Sequence, residues 1–188
     1  MKVATVVGAR PQFIKAAPLS RALKAAQIEE FFIHTGQHHD ANMSGSFFAE
    51  LELSEPRYHL SINNLPHGAM TGRMLEQIES ILLDEQPDMV VVFGDTNSTL
   101  AGALAAKKAG IPVAHVEAGM RSGLDFQPEE INRILTDHLS SLLLTSNEGA
   151  KDHLLKEGIS ETKIVVSGDL SLDLFNWQKK HRGLPGSR

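Results

Sequence analysis

The chain has 188 residues, 41% of them hydrophobic and 22% charged, enough to bury one sizeable α/β core. Its formal net charge of -5 argues against a broad nucleic-acid surface, because binding to a phosphate backbone needs Lys and Arg clustered on one face. No cysteine occurs, which excludes disulfides and thiolate metal sites and is compatible with a reducing cytosol.

The opening M-K-V-A-T-V-V-G is too short an apolar run for a signal peptide or a membrane helix, and residues 3–7 read as the first strand of the fold. Gly8-Ala9-Arg10-Pro11-Gln12-Phe13-Ile14-Lys15 follows at once. Pro11 suits the first turn of a helix, whose exposed N–H groups and dipole favour an anion. Arg10 therefore sits at a natural phosphate seat, with Lys15 about one turn further on. The competing use of Arg10 is an ion pair with a carboxylate such as Glu117. The segment is neither a G-x-G-x-x-G fingerprint nor a P-loop, so no dinucleotide cofactor is expected.

A second apolar run at 31–33 is followed by Gln37 and His38, which are placed to line the same crevice. His34, His38, His39 and Asp40 match no helical or hairpin zinc spacing, and no metal is expected. Pro56 and Pro66 mark turns around a short edge strand at 58–62. Met70, Met74, Ile78, Ile81 and Leu82 then recur on one helical face, with the methionines read as core. Pro87-Asp88 ends that helix.

Residues 90–99, V-V-V-F-G-D-T-N-S-T, carry the strongest signal: an apolar strand ends in a Gly-Asp-Thr that opens a helix bearing Leu100, Ala101, Leu104 and Ala105. Asp95 and Thr96 thus stand where ligands of open α/β sheets bind. The strand at 111–115 repeats the arrangement and delivers Glu117. Two acids in one crevice suit acid/base chemistry, while helix capping is the competing use of Asp95.

Arg121 comes next, then Pro128-Glu129-Glu130-Ile131-Asn132-Arg133, with both acids in the first turn of a helix. Ile131, Ile134, Leu135 and His138 share one face of it. A Glu129–Arg133 pair on an exposed face would contribute only about 0.2–0.5 kcal/mol. The convergence of two acids, Asn132 and Arg133 exceeds what capping requires and reads as an active-site helix. Runs at 142–144 and 164–166 supply the last strands. The alternation of apolar runs and amphipathic segments predicts a doubly wound, Rossmann-like parallel sheet. The final dozen residues lose apolar periodicity and read as a solvated tail that packs poorly beyond Asn176. No G-x-S-x-G elbow is present, which argues against an α/β-hydrolase.

Together G-A-R-P-Q-F-I-K, H-T-G-Q-H, T-G-R-M-L, G-D-T-N-S-T-L-A, H-V-E-A-G-M-R, P-E-E-I-N-R-I-L-T-D-H and V-V-S-G-D resemble the non-hydrolysing UDP-N-acetylglucosamine 2-epimerases, in order from residue 1 to about 175. The resemblance implies the N-terminal half of a two-domain fold like that of GT-B glycosyltransferases, with a tail or hinge at 176–188 and the UDP-binding C-terminal domain missing. It implies interconversion of UDP-N-acetylglucosamine and UDP-N-acetylmannosamine, through loss and re-addition of UDP, without a cofactor. By motif match Asp95, Glu117 and Glu129 are the catalytic candidates. Arg10, Lys15, Gln37, His38, Thr96, Arg121, Glu130 and Arg133 are the candidate substrate-binding residues. A cytoplasmic homo-oligomer with no nucleic-acid or membrane partner is also implied. Apolar residues of 47–53 and 70–82 serve either its interface or the core. Gln37-His38-His39-Asp40 keeps only one of the two glutamines with which some relatives help bind a regulatory substrate molecule. The same motifs admit a diacetamido-uronate substrate, a binding-only half without turnover, or, by fold analogy alone, the acceptor domain of a glycosyltransferase.

Overall fold

The computed structural model describes residues 1–38 and 45–182, so His39 and Asp40 lie outside the described residues. Within them, seven strands form one sheet: β1 (Lys2–Val7), β2 (Glu29–His34), β3 (Tyr58–His59), β4 (Met89–Phe93), β5 (Val113–Val116), β6 (Leu142–Thr145) and β7 (Ile164–Val166). Every pairing is parallel, and the order is β3-β2-β1-β4-β5-β6-β7. Parallel neighbours require crossovers, and seven helices are interspersed with the strands: α1 (Arg10–Ala25), α2 (Gly45–Leu51), α3 (His67–Glu85), α4 (Asn97–Lys108), α5 (Pro128–Leu139), α6 (Glu148–Lys156) and α7 (Leu170–Arg182). The expected doubly wound sheet is the one observed. Its strand order reverses between β1 and β4, which opens a crevice beyond their carboxyl ends.

The strands are apolar on both faces because helices cover both. Ala4, Val6, Phe31, Ile33, Val90, Val92 and Val113 pack with Met70, Met74, Ile78 and Leu82 of α3 and the alanines of α4. The alternate residues Val3, Val7, Phe32, Val91, Phe93, Ala114 and Val116 pack with Phe13 of α1, Phe47 and Phe48 of α2, and Leu174 of α7. The apolar residues of 47–53 and the buried face of α3 are thereby absorbed into the core. Burying each large aliphatic side chain contributes roughly 1.5–3 kcal/mol.

Two expectations need correction, for the edge strand and for the tail, and the direction in which α5 faces is a finding of its own. The edge strand stops at His59, because Ser61 takes a left-handed conformation (φ 54°) that an extended chain cannot continue through. The apolar stripe of α5 faces outward: Ile131 and Leu135 are exposed, while Glu130, Asn132, Thr136 and Asp137 are buried. Finally, α7 runs through Asn176 to Arg182, and the half-buried Trp177 packs on the core with the Arg21 guanidinium 4.1 Å from its ring. Loss of apolar periodicity does not end this helix, since one aromatic ring and one cation hold its second half against α1.

Candidate active site

Beyond the carboxyl ends of β1, β4 and β5 lies a cavity of about 480 Å³. Arg10, Lys15, His38, Asp95, Thr96 and Glu117 are among the residues that line it. Its geometry follows from the turns. Gly8 leaves β1 where any Cβ would overlap the Ser98 side chain, so α4 approaches closely only because glycine is there. Gln12 ties the floor together: its Oε1 accepts from the Gly8 N–H at 2.7 Å, and its Nε2 donates to the Phe93 carbonyl at 2.8 Å. The N-cap of α1 is Ala9, which offers no side-chain acceptor, and this leaves the helix start for an anion. Arg10 stacks beside it, 4.9 Å from the Phe47 ring.

Asp95 does not cap α4. Thr96 does, accepting from the Thr99 N–H at 3.2 Å while Thr99 Oγ1 accepts from the Thr96 N–H at 3.1 Å. The Asp95 carboxylate pairs instead with Arg133, and its carbonyl accepts from Asn132 Nδ2 at 2.9 Å. Glu117 pairs with Lys15 at 2.5 Å, so the cation on this acid is Lys15. Its backbone is left-handed (φ 67°), a conformation that costs a non-glycine residue of order 1–3 kcal/mol and persists only where the surroundings enforce it. Among the described residues no group of His, Asp and Glu is arranged to hold a metal ion, and no helix is long and apolar enough to cross a membrane.

Comparison with known proteins decides the family. The model of the UDP-N-acetylglucosamine 2-epimerases matches residues 21–184. The chain belongs to that family. It is 53% identical over 173 residues to a UDP-N-acetylglucosamine 2-epimerase of Methanocaldococcus jannaschii, covering 92% of this chain and 47% of the relative. It is equally identical, over 176 residues, to a UDP-2,3-diacetamido-2,3-dideoxy-D-glucuronate 2-epimerase of Pseudomonas aeruginosa, covering 92% of this chain and 50% of that one. A crystal structure of the M. jannaschii UDP-GlcNAc 2-epimerase in complex with UDP-GlcNAc and UDP superposes with a TM-score of 0.91 at 52% identity, over 96% of this chain and 50% of the other. The chain spans about half the length of the curated relatives it matches.

In this epimerase-family chain the fold does not bring every motif residue to the cavity. Glu129 is exposed at the start of α5 and is absent from the cavity lining. Glu130 is turned inward: Oε1 accepts from the Ser122 and Gly123 N–H groups at 2.9 and 3.1 Å, and Oε2 pairs with Arg133 at 2.9 Å. Burial opposes its ionisation, but those bonds outweigh it and hold the carboxyl below its usual range. Within α5 the pair is therefore Glu130–Arg133, and the competing Glu129–Arg133 pair does not form. Arg133 lies between Glu130 and Asp95, and although burial works against the cation, these acids raise its pKa. Arg121 is nearly enclosed, pairing with Asp137 at 2.8 Å and with Glu157 at 2.7 Å. Gln37 is turned to α4, where its Oε1 accepts from the Ser98 N–H at 2.9 Å.

Sequence reasoning passed over Gln12, His115 and Asp137. A histidine inside an otherwise apolar strand was the available signal for His115, since a polar ring fully buried in a sheet needs specific partners.

Proposed function

We propose that this chain forms the proton-transfer half of an enzyme that epimerises UDP-N-acetylglucosamine at C2. The single observation that carries the reading is the cavity in which Asp95 and Glu117 face an anion seat at Arg10 and the start of α1. Exchanging a weakly acidic C2 proton from one face of a sugar to the other calls for a positioned base and a positioned acid, and two carboxylates from separate strands meet that need. Departure of UDP builds charge on a diphosphate, which Arg10 and the helix terminus stabilise. Glu129 stands one turn before Arg133, the partner of Asp95, and in our reading acts from the rim of the same cleft. A second domain, as in a GT-B arrangement, closes the cleft and holds the nucleotide. We place the enzyme in the cytoplasm as a homo-oligomer, an assembly that light scattering tests and a monomer at high concentration overturns.

The test is incubation in deuterated water with UDP-N-acetylglucosamine and, separately, with its diacetamido-uronate analogue, read by NMR at C2. The chain is assayed alone and joined to the remaining half of the M. jannaschii relative. Deuterium at C2 with formation of the manno epimer is expected from the joined protein, and little from the chain alone, because proton transfer needs a held geometry. Asp95→Asn and Glu117→Gln should each lower that rate by about 10²–10⁴-fold, with Glu129→Gln also impaired. Exchange with neither sugar discards the reading. Brisk turnover by the chain alone removes the need for a second domain, and preference for the uronate reassigns the substrate.

A further inference from the structure

We infer that His115 and Asp137 form a buried positioning pair that sets the spacing between the Asp95 turn and the Glu117 turn. His115, on β5 two residues before Glu117, is fully buried. Its Nδ1 lies 2.6 Å from Asp137 Oδ1 and its Nε2 lies 2.7 Å from the Gly94 carbonyl. A carbonyl can only accept, so the Nε2–H donates to Gly94. The Nε2 bond grips the residue immediately before Asp95. Asp137, on α5, then grips the other turn: its Oδ2 accepts from the Gly119 N–H at 3.1 Å, two residues beyond Glu117, and pairs with Arg121 at 2.8 Å. Arg121 is held in turn by Glu157.

This ladder encloses the left-handed backbone of Glu117. On one side β5 is anchored through His115, and on the other Gly119 is anchored through Asp137, while the Gly94 N–H donates to the Val116 carbonyl at 3.0 Å. A strained residue keeps its conformation only when its surroundings leave it no alternative, and these bonds supply that constraint. Neither side chain lines the cavity, so the pair acts on the acids through backbone. A displacement of about 1 Å at a reacting group costs about 10²-fold in rate. The same polar ladder explains why α5 buries its polar face.

The catalytic part of this inference rests on the epimerase reading; the geometric part does not. Three variants test both, His115→Asn, His115→Phe and Asp137→Asn, made in the chain and in the joined protein. Asn keeps a hydrogen-bonding group near the Nδ1 position toward Asp137 and loses the Gly94 bond. It should remain folded, with faster amide hydrogen exchange in the Gly94–Asp95 turn and unchanged exchange at Gly119. Asp137→Asn should loosen Gly119 as well. In the joined protein all three should lower kcat, about 10-fold for His115→Asn and about 10²-fold for the others, with KM within threefold of the parent. Amide exchange at both turns unchanged from the parent overturns the pair as a positioning device. A kcat that falls only in proportion to the unfolded fraction also overturns it. If the unsubstituted joined protein turns over neither sugar, the epimerase reading fails while the amide measurements still decide the geometry.

Discussion

The turn beyond Glu117 has almost no freedom, and Gly119 is where this is most exposed to experiment. Its φ is +76°, and a Cβ there would overlap the Ala150 carbonyl, a backbone group that cannot swing aside. Gly158 has a similar φ of +82° with open space around it. Gly119→Ala should therefore destabilise the chain by more than about 2 kcal/mol, from backbone strain plus a steric clash, and Gly158→Ala by about 1 kcal/mol, from strain alone. Urea unfolding of both variants measures the difference. Equal losses would mean that the α6 backbone yields easily, and the account of a tightly held turn would fail. Such a turn matters because Glu117 and the Asp137-bound Gly119 are only two residues apart.

At the scale of elements, the strands were the most legible part of the sequence, because a two-sided parallel sheet writes itself as short continuous apolar runs at 3–7, 89–93 and 164–166. Helix existence was legible too, but the orientation of α5 was not. Periodicity reports which residues share a face, and for α5 the face turned inward is the one that supplies Asn132 to the Asp95 carbonyl and Asp137 to His115. The motif positions Asp95 and Glu117 were readable from strand ends. Their cations were harder to assign, since whether Lys15 or Arg10 reaches Glu117 depends on where α1 sets each side chain. The second half of α7 carries no period in the sequence, because its packing rests on the half-buried Trp177. Deleting residues 176–188 removes that ring and its stacking with Arg21. The expected outcome is a loss of about 1–3 kcal/mol, seen as a lower thermal midpoint, because a partly buried aromatic and a cation–π contact disappear together. An unchanged midpoint would show that α7 beyond Phe175 contributes nothing to the fold.

Across the whole molecule, the two ends of the sheet have different electrostatics. The carboxyl end holds the acids of the cleft, with His34 at the end of β2. The amino end is clamped by Glu85 at the end of α3, which accepts from Tyr58 at 2.5 Å and from Arg57 at 3.2 Å and also pairs with Lys2. Bonds from Lys2 and Tyr58 lower the Glu85 pKa to about 2. Burial, followed by the charge of His59, lowers that of His34 to about 4. Both groups are depressed relative to the unfolded chain, so both oppose folding in acid, in different windows. The His34 contribution is complete above its ordinary value of 6.5 and is lost as pH falls towards about 4. The Glu85 contribution is complete above 4.5 and is lost as pH falls towards about 2. Urea unfolding between pH 7 and pH 2.5 should therefore show stability declining through both ranges. His34→Leu should flatten the upper range, because the replacement has no proton to take up and its burial leaves no ring nitrogen unpartnered. Glu85→Gln should be less stable than the parent by about 1 kcal/mol at neutral pH, with the gap closing below pH 4.5. A Glu85→Gln deficit that stays constant down to pH 2.5 would show that the clamp acts by packing and not by charge, and a His34→Leu profile parallel to the parent's would remove His34 from the acid response.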